Sequence, residues 1–130
     1  MPIISIVVPC YNEEEALPLF YQEATRVAGE MSGIDFEFVF IDDGSRDNTL
    51  SVLRRLAAAD RRVRFVSFSR NFGKEAGMLA GLEAATGDYV ALMDADLQDD
   101  IDALDQFVKK FQEGCDGVYG VRNKRDTDTW

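Results

Sequence analysis

Short apolar runs rich in β-branched and aromatic residues alternate along this chain with amphipathic stretches of helical period, and that alternation admits few folds. Ile3 to Val8, Phe36 to Ile41, Val63 to Phe68 and Tyr89 to Met93 carry few charges, as expected of parallel strands covered on both faces. Asp116 to Val121 is a weaker fifth run. Between them the pattern predicts helices over Glu13 to about Met31, with Asn12 as cap and three glutamates in the first turn; about Thr49 to Ala59, capped by Asp47 or Asn48; about Gly73 to Thr86; and Ile101 to Gln112, with Asp99 as cap. Gly87 and Gly114 stand where a C′ glycine ends a helix. The sum is an α/β fold: a Rossmann-like open, mostly parallel sheet with right-handed crossovers and helices on both faces. With 130 residues, 46% of them hydrophobic, and no linker or low-complexity tract, residues 1–130 are expected to form one domain around one core.

The third helical stretch carries Gly73, Gly77 and Gly81 at four-residue spacing, beside Ala76, Ala80 and Ala84. An interior glycine costs a helix up to about 1 kcal/mol relative to alanine. Three on one face therefore predict close packing of that helix on the sheet.

Charge narrows the partners. Fourteen basic against 24 acidic residues leave a net charge of −10, which argues against a nucleic-acid backbone or an anionic membrane surface as a partner of this segment. The absence of histidine excludes histidine-based triads and His-ligated zinc. Cys10 and Cys115 sit in no metal-ligand or CxxC spacing and are read as buried, reduced thiols. No apolar stretch approaches the ~18 residues of a membrane span, and no signal-peptide pattern opens the chain. The expected setting of the segment is cytoplasmic.

The chemistry is concentrated where the predicted strands end. The run YVALMDADLQ closes in Asp94 and Asp96, spaced i and i+2, so an extended backbone points both carboxylates to one side, about 5 Å apart. At an effective dielectric near 20 they repel by roughly 3 kcal/mol. A shared proton would offset that repulsion, but near neutral pH a divalent cation such as Mg²⁺ or Mn²⁺ is the more natural answer, and it leaves coordination positions for substrate phosphates. Asn12 and Glu13 follow the first strand, Asp42 and Asp43 the second, Arg70 and Asn71 the third. All fall at carboxyl ends, the edge where open α/β sheets bind ligands. Neither GxGxxG nor a P-loop is present, which leaves Arg70 and Lys74 to meet phosphate oxygens or to pair with the surrounding carboxylates. A phosphatase of the haloacid dehalogenase class and a response-regulator receiver also place carboxylates on such an edge. Both leave PCYNEEEA after the first strand unexplained.

Together, PCYNEE at Pro9 to Glu14, FIDDGSRDNT at Phe40 to Thr49, SRNFGKEAG at Ser69 to Gly77 and MDADLQ at Met93 to Gln98 resemble the family 2 glycosyltransferases. Within them the chain looks most like the polyprenyl-phosphate branch, which includes dolichol-phosphate mannosyltransferase and undecaprenyl-phosphate glucosyltransferases. The resemblance spans Ile3 to about Val121. It implies a GT-A fold and a metal-dependent, inverting transfer of a hexose from a nucleotide-diphosphate sugar, of the UDP-glucose or GDP-mannose type, to a polyprenyl phosphate at the cytosolic membrane face. By position, Pro9, Tyr11 and Glu13 would line the nucleoside pocket, Tyr11 by stacking on the base, with Asp42 or Asp43 reading that base. Asp94 and Asp96, helped by Gln98, would hold Mg²⁺ or Mn²⁺ against the diphosphate, and Asn12 and Ala95 belong to the same substrate-binding set.

Two departures stand out. Asp100 and Ile101 replace a proline pair frequent in the family, and relatives continue past this point into acceptor-side elements and membrane helices. The chain is therefore expected to be the donor-binding part, with no catalytic base assigned; Asp126 and Asp128 are read as surface residues. Exposed apolar surface left by the missing part leaves a homo-oligomer open. Two other functions compete: a nucleotide-binding or regulatory module without transfer activity, and a metal-dependent phosphohydrolase.

Overall fold

The computed structural model describes residues 2–30, 33–96, 103, 104, 106, 109 and 110. The proposed fifth strand, Gly114, Cys115, Gln98, Asp99, Asp126 and Asp128 lie outside the described residues. Strands β1 (Ile3–Cys10), β2 (Asp35–Asp42), β3 (Val63–Ser67) and β4 (Tyr89–Leu92) alternate with helices α1 (Ala16–Gly29), α2 (Thr49–Ala59) and α3 (Lys74–Ala84). The four strands form one parallel sheet in the order β3-β2-β1-β4. Residues 103, 104, 106, 109 and 110 are helical, and Leu104 is fully buried in the core, in keeping with the expected fourth helix.

Alternation along the strands divides the core in two. Ile4, Ile6, Val8, Phe36, Phe38 and Phe40 pack with Leu17, Phe20, Ala24 and Val27 of α1 and Val52 and Leu53 of α2. On the opposite face Val7, Val39, Ile41 and Leu92 pack with Met78 of α3. Burying side chains of this size contributes about 1.5–3 kcal/mol each. The predicted glycine stripe requires glycine at one position: a Cβ on Gly81 would come within 2.2 Å of Val7 Cγ1, whereas one on Gly77 would make ordinary contact, 3.5 Å from Pro9 Cβ. Gly73 differs. It precedes the helix with φ 105°, and a Cβ added there would meet nothing within 4 Å, so it serves the turn and not the packing.

Three further expectations, the start of α1, Asn12 as its cap and Gly87 as the end of α3, are corrected, and the choice between Asp47 and Asn48 at α2 is resolved. Helix α1 begins at Ala16 and not at Glu13, and Asn12 is no cap: it adopts φ 54° and its side-chain oxygen accepts from Arg46 N at 2.8 Å. Gly87 does not close α3, whose C-cap is the extended Ala85; instead a Cβ there would lie 2.5 Å from Ser5 Oγ and 2.8 Å from Ile3 O, so the residue is small because β1 runs against it. At α2 the capping role falls to Asp47, whose carboxylate accepts from Thr49 N at 2.9 Å, while Asn48 makes no capping bond.

A polar group is buried within the α3 face. Glu37 accepts from Ser5 Oγ (2.7 Å), Thr86 N (2.9 Å), Thr86 Oγ1 (2.8 Å) and Arg64 Nη1 (3.0 Å), and Ser5 Oγ in turn accepts from Gly87 N (2.8 Å). This ties β1, β2 and β3 to the segment between α3 and β4.

On the other side, Asp60 ends α2 and accepts from Arg62 Nη2 at 2.9 Å, from Arg62 Nε and N, and from the Tyr21 hydroxyl. The Arg62 guanidinium, outweighing the opposing effect of burial and assisted by Tyr21, draws its pKa from the ordinary 3.8 down to about 2. A carboxyl depressed on folding adds stability above its unfolded value, and that stability fades as pH falls through the folded one. Asp60→Asn is expected to cost about 2 kcal/mol at pH 6 and close to nothing at pH 2. Urea midpoints of both proteins across that range give the answer; a gap that does not narrow on acidification would refute it.

Candidate functional site

With β1 flanked by β2 on one side and β4 on the other, strand order reverses between β1 and β4. The crevice beyond their carboxyl ends is the position where open α/β sheets take ligands. The ladder between them ends at the pair Val7 and Leu92, so Pro9, which cannot donate, lies past the last bridge to β4. Pro9 faces α3, close to Gly77. From these two strand ends emerge Tyr11, Asn12 and Glu13 on one side and Asp94, Ala95 and Asp96 on the other.

The loops around the crevice are bonded to one another. Asn12 N donates to Ser45 Oγ (2.9 Å), Glu13 N to Thr49 Oγ1 (2.8 Å) and Glu14 N to Asp47 Oδ2 (3.2 Å), so the β1–α1 and β2–α2 loops form one unit. The β3–α3 loop is held to that unit by Asp43. Its buried carboxylate accepts from Phe72 N (2.7 Å), Gly73 N (3.0 Å) and Asn71 Nδ2 (3.2 Å). The Asp42 carboxylate, equally buried, accepts from Ser45 N at 3.0 Å. Gly44 explains how the loops approach so closely: with φ 69°, a Cβ there would sit 2.2 Å from the Arg70 carbonyl carbon.

The crevice carries a negative field. Burial raises the Glu13 carboxyl pKa, and Asp96, Asp94 and Asp47 raise it further. Burial likewise pushes the Cys10 thiol well up, with Glu13, Asp42 and Asp94 adding to the shift; Cys10 is thus a free, buried, protonated thiol. A cation on α3 meets this field. Lys74, the first residue of α3, places Nζ 2.8 Å from Asp94 Oδ1. Arg70 follows β3, with its guanidinium 4.7 Å from the Phe72 ring centroid. Tyr11, directly after β1, is 44% exposed.

Two hard carboxylates, one already holding an ammonium ion, are chemically suited to Mg²⁺ or Mn²⁺. Among the described residues no group of three or more His, Cys, Asp or Glu could hold a metal by itself. Such an ion would complete its shell with ligand phosphate oxygens or water.

The model for glycosyl transferase family 2 matches residues 5–130. The chain belongs to that family. This family 2 chain is 47% identical over 125 residues to a prophage bactoprenol glucosyl transferase homolog of Escherichia coli strain K12, covering 96% of the chain and 40% of that protein. It shares the same identity with the bactoprenol glucosyl transferase of Shigella phage SfX, of which it covers 41%. The chain thus spans about 40% of the length of these curated relatives. Among solved structures, the mannosyltransferase PcManGT from Pyrobaculum calidifontis, in complex with GDP-Man and Mn²⁺, superposes with a TM-score of 0.59 at 28% identity, over 80% of this chain and 32% of that one. The expected GT-A architecture of the family 2 chain is therefore established. No helix among its described residues is long and apolar enough to cross a membrane.

The motifs point to this edge but not to how it is built. Ser45, Thr49 and Gly44 are silent as site residues in the sequence, although a glycine directly after a strand-ending Asp-Asp pair is a signal for a turn of positive φ.

Proposed function

We propose that the full-length protein transfers glucose from a nucleotide-diphosphate sugar to a polyprenyl phosphate at the cytosolic membrane face, with inversion, and that residues 1–130 supply its donor- and metal-binding half. The observation that carries this is the placement of Glu13 after β1 and of Asp94 and Asp96 after β4, where strand order reverses in a family 2 chain. The names of the bactoprenol glucosyl transferases support the sugar and the acceptor, and PcManGT, bound to GDP-Man and Mn²⁺, supports a metal-bound donor.

In this reading Tyr11 stacks on the base at the crevice mouth. Asp42 is better placed than Asp43 to read the base, because both Asp43 oxygens are already committed to the β3–α3 loop. Asp94 and Asp96 hold the divalent ion, which supplies charge neutralisation to the departing nucleoside diphosphate. Glu13, Asn12 and Ala95 line the donor pocket, Gln98 assists the metal ligands, and Lys74 and Arg70 are the cations for phosphate oxygens.

Calorimetric titration of this chain with UDP-glucose and GDP-mannose, with and without Mn²⁺, tests the proposal. UDP-glucose is expected to bind only with the metal, and an Asp94→Asn, Asp96→Asn double variant is expected to lose at least about a hundredfold in affinity while keeping its unfolding midpoint. Binding undiminished in the double variant would reject the assigned site.

A further inference from the structure

We infer that Lys74 is an exchangeable cation of the donor site: it occupies Asp94 when no donor is present and moves to the diphosphate when a divalent metal takes its place. The inference rests on the donor-site reading above and concerns how that site is regulated.

Three observations carry it. The ammonium lies 2.8 Å from Asp94 Oδ1, on one of the two carboxylates assigned to the metal. An ammonium and a divalent ion cannot share that oxygen, since two cations at such separation repel strongly. Second, the pair is built to part. The Lys74 side chain is 61% exposed and that of Asp94 23%, and an ion pair so open to water is weak. Third, Lys74 is the first residue of α3, where the helix dipole disfavours a cation unless an anion stands close by. Asp94 meets that need in the donor-free protein. Once a metal claims the carboxylate, a phosphate arriving at the same edge is the replacement anion, and the Lys74 side chain, anchored at the helix start, needs only to swing.

Lys74 thus opposes metal binding by itself and favours metal together with nucleotide. It couples the two ligands, with opposite signs for the two affinities. Loss of the ammonium should raise affinity for Mn²⁺ alone and lower affinity for the nucleotide.

The test is Mn²⁺ binding, followed by electron paramagnetic resonance of the free ion, and UDP binding at saturating Mn²⁺, followed by calorimetry, on the wild-type chain and Lys74→Met. The variant is expected to bind Mn²⁺ alone about fivefold tighter and UDP with Mn²⁺ about tenfold weaker. Lys74→Arg, which keeps the charge, should restore UDP affinity toward wild type. If both affinities fall together, or Mn²⁺ affinity is unchanged while UDP still binds the wild type, the exchange is wrong and the donor-site assignment stands. If the wild type binds neither Mn²⁺ nor UDP, both fail.

Discussion

Gly44→Ala is expected to lower stability by about 4 kcal/mol, enough to leave little folded protein at physiological temperature. Two costs combine. At φ 69° an L side chain is strained, by roughly 1–2 kcal/mol. The added carbon would also stand 2.2 Å from Arg70 C, 2.4 Å from Asn71 N and 2.7 Å from Arg70 Cα. These are backbone atoms, and the following residues are fixed by Asp43 through Phe72 N and Gly73 N, so the neighbour cannot yield as a flexible side chain would. Gly33→Ala separates the two costs: its φ is 82° with nothing within 4 Å, so it should show the strain alone. Thermal unfolding of both variants decides. Equal losses would mean that the approach of the two loops contributes nothing.

Glu37→Ala is expected to cost about 3 kcal/mol, the upper end of the range for leaving buried hydrogen-bonding groups without their partner. The side chain is 12% exposed, and its loss strands the Ser5 hydroxyl, the Thr86 amide and hydroxyl, and one bond of Arg64. Burial by itself would raise the pKa of this carboxyl, yet the bonds from Thr86, Ser5 and Arg64 outweigh burial and lower it. The depressed value means that the ionised form is the stabilising one, so the contribution is present above the usual carboxylate range and disappears as pH falls through the folded value. Glu37→Gln should fall between, at about 1–3 kcal/mol, because one donor-facing oxygen becomes an amide nitrogen. Urea unfolding at pH 7 measures both; a loss under about 1 kcal/mol in Glu37→Ala would show that water replaces the carboxylate.

The contrast between these residues shows what a sequence can reveal about such a fold. All four described strands and three helices are legible because each is dominated by local pattern: a run such as Ile3 to Val8 has no other stable use than a doubly covered strand. Asp94 and Asp96 interrupt an apolar run, a local event, but the extended spacing expected of them does not hold: β4 ends at Leu92, and Ala95 and Asp96 lie in a turn. Errors fall where a distant segment competes with the local signal. Asn12 looks like a cap, but Ser45 and Arg46, more than thirty residues on, offer its amide and side chain better partners. Gly87 looks like a helix terminator, but the reason for it is β1. Glu37 carries no signal, because an acid in DFEFVF reads as a solvent-facing position until Thr86 and Arg64 are brought over it.

The bonding of the three loops to one another bears on the rate at which this edge recognises a ligand. The segments after β1, β2 and β3 are joined by Asn12, Asp47 and Asp43 within the folded chain itself, so the entropy of ordering them is spent during folding and not at the moment of encounter. A ligand meeting these loops finds a finished contour. Its arrival would then be governed by collision and by charge, with no closure of these three loops to await, and differences between ligands should appear mainly in how long each one stays.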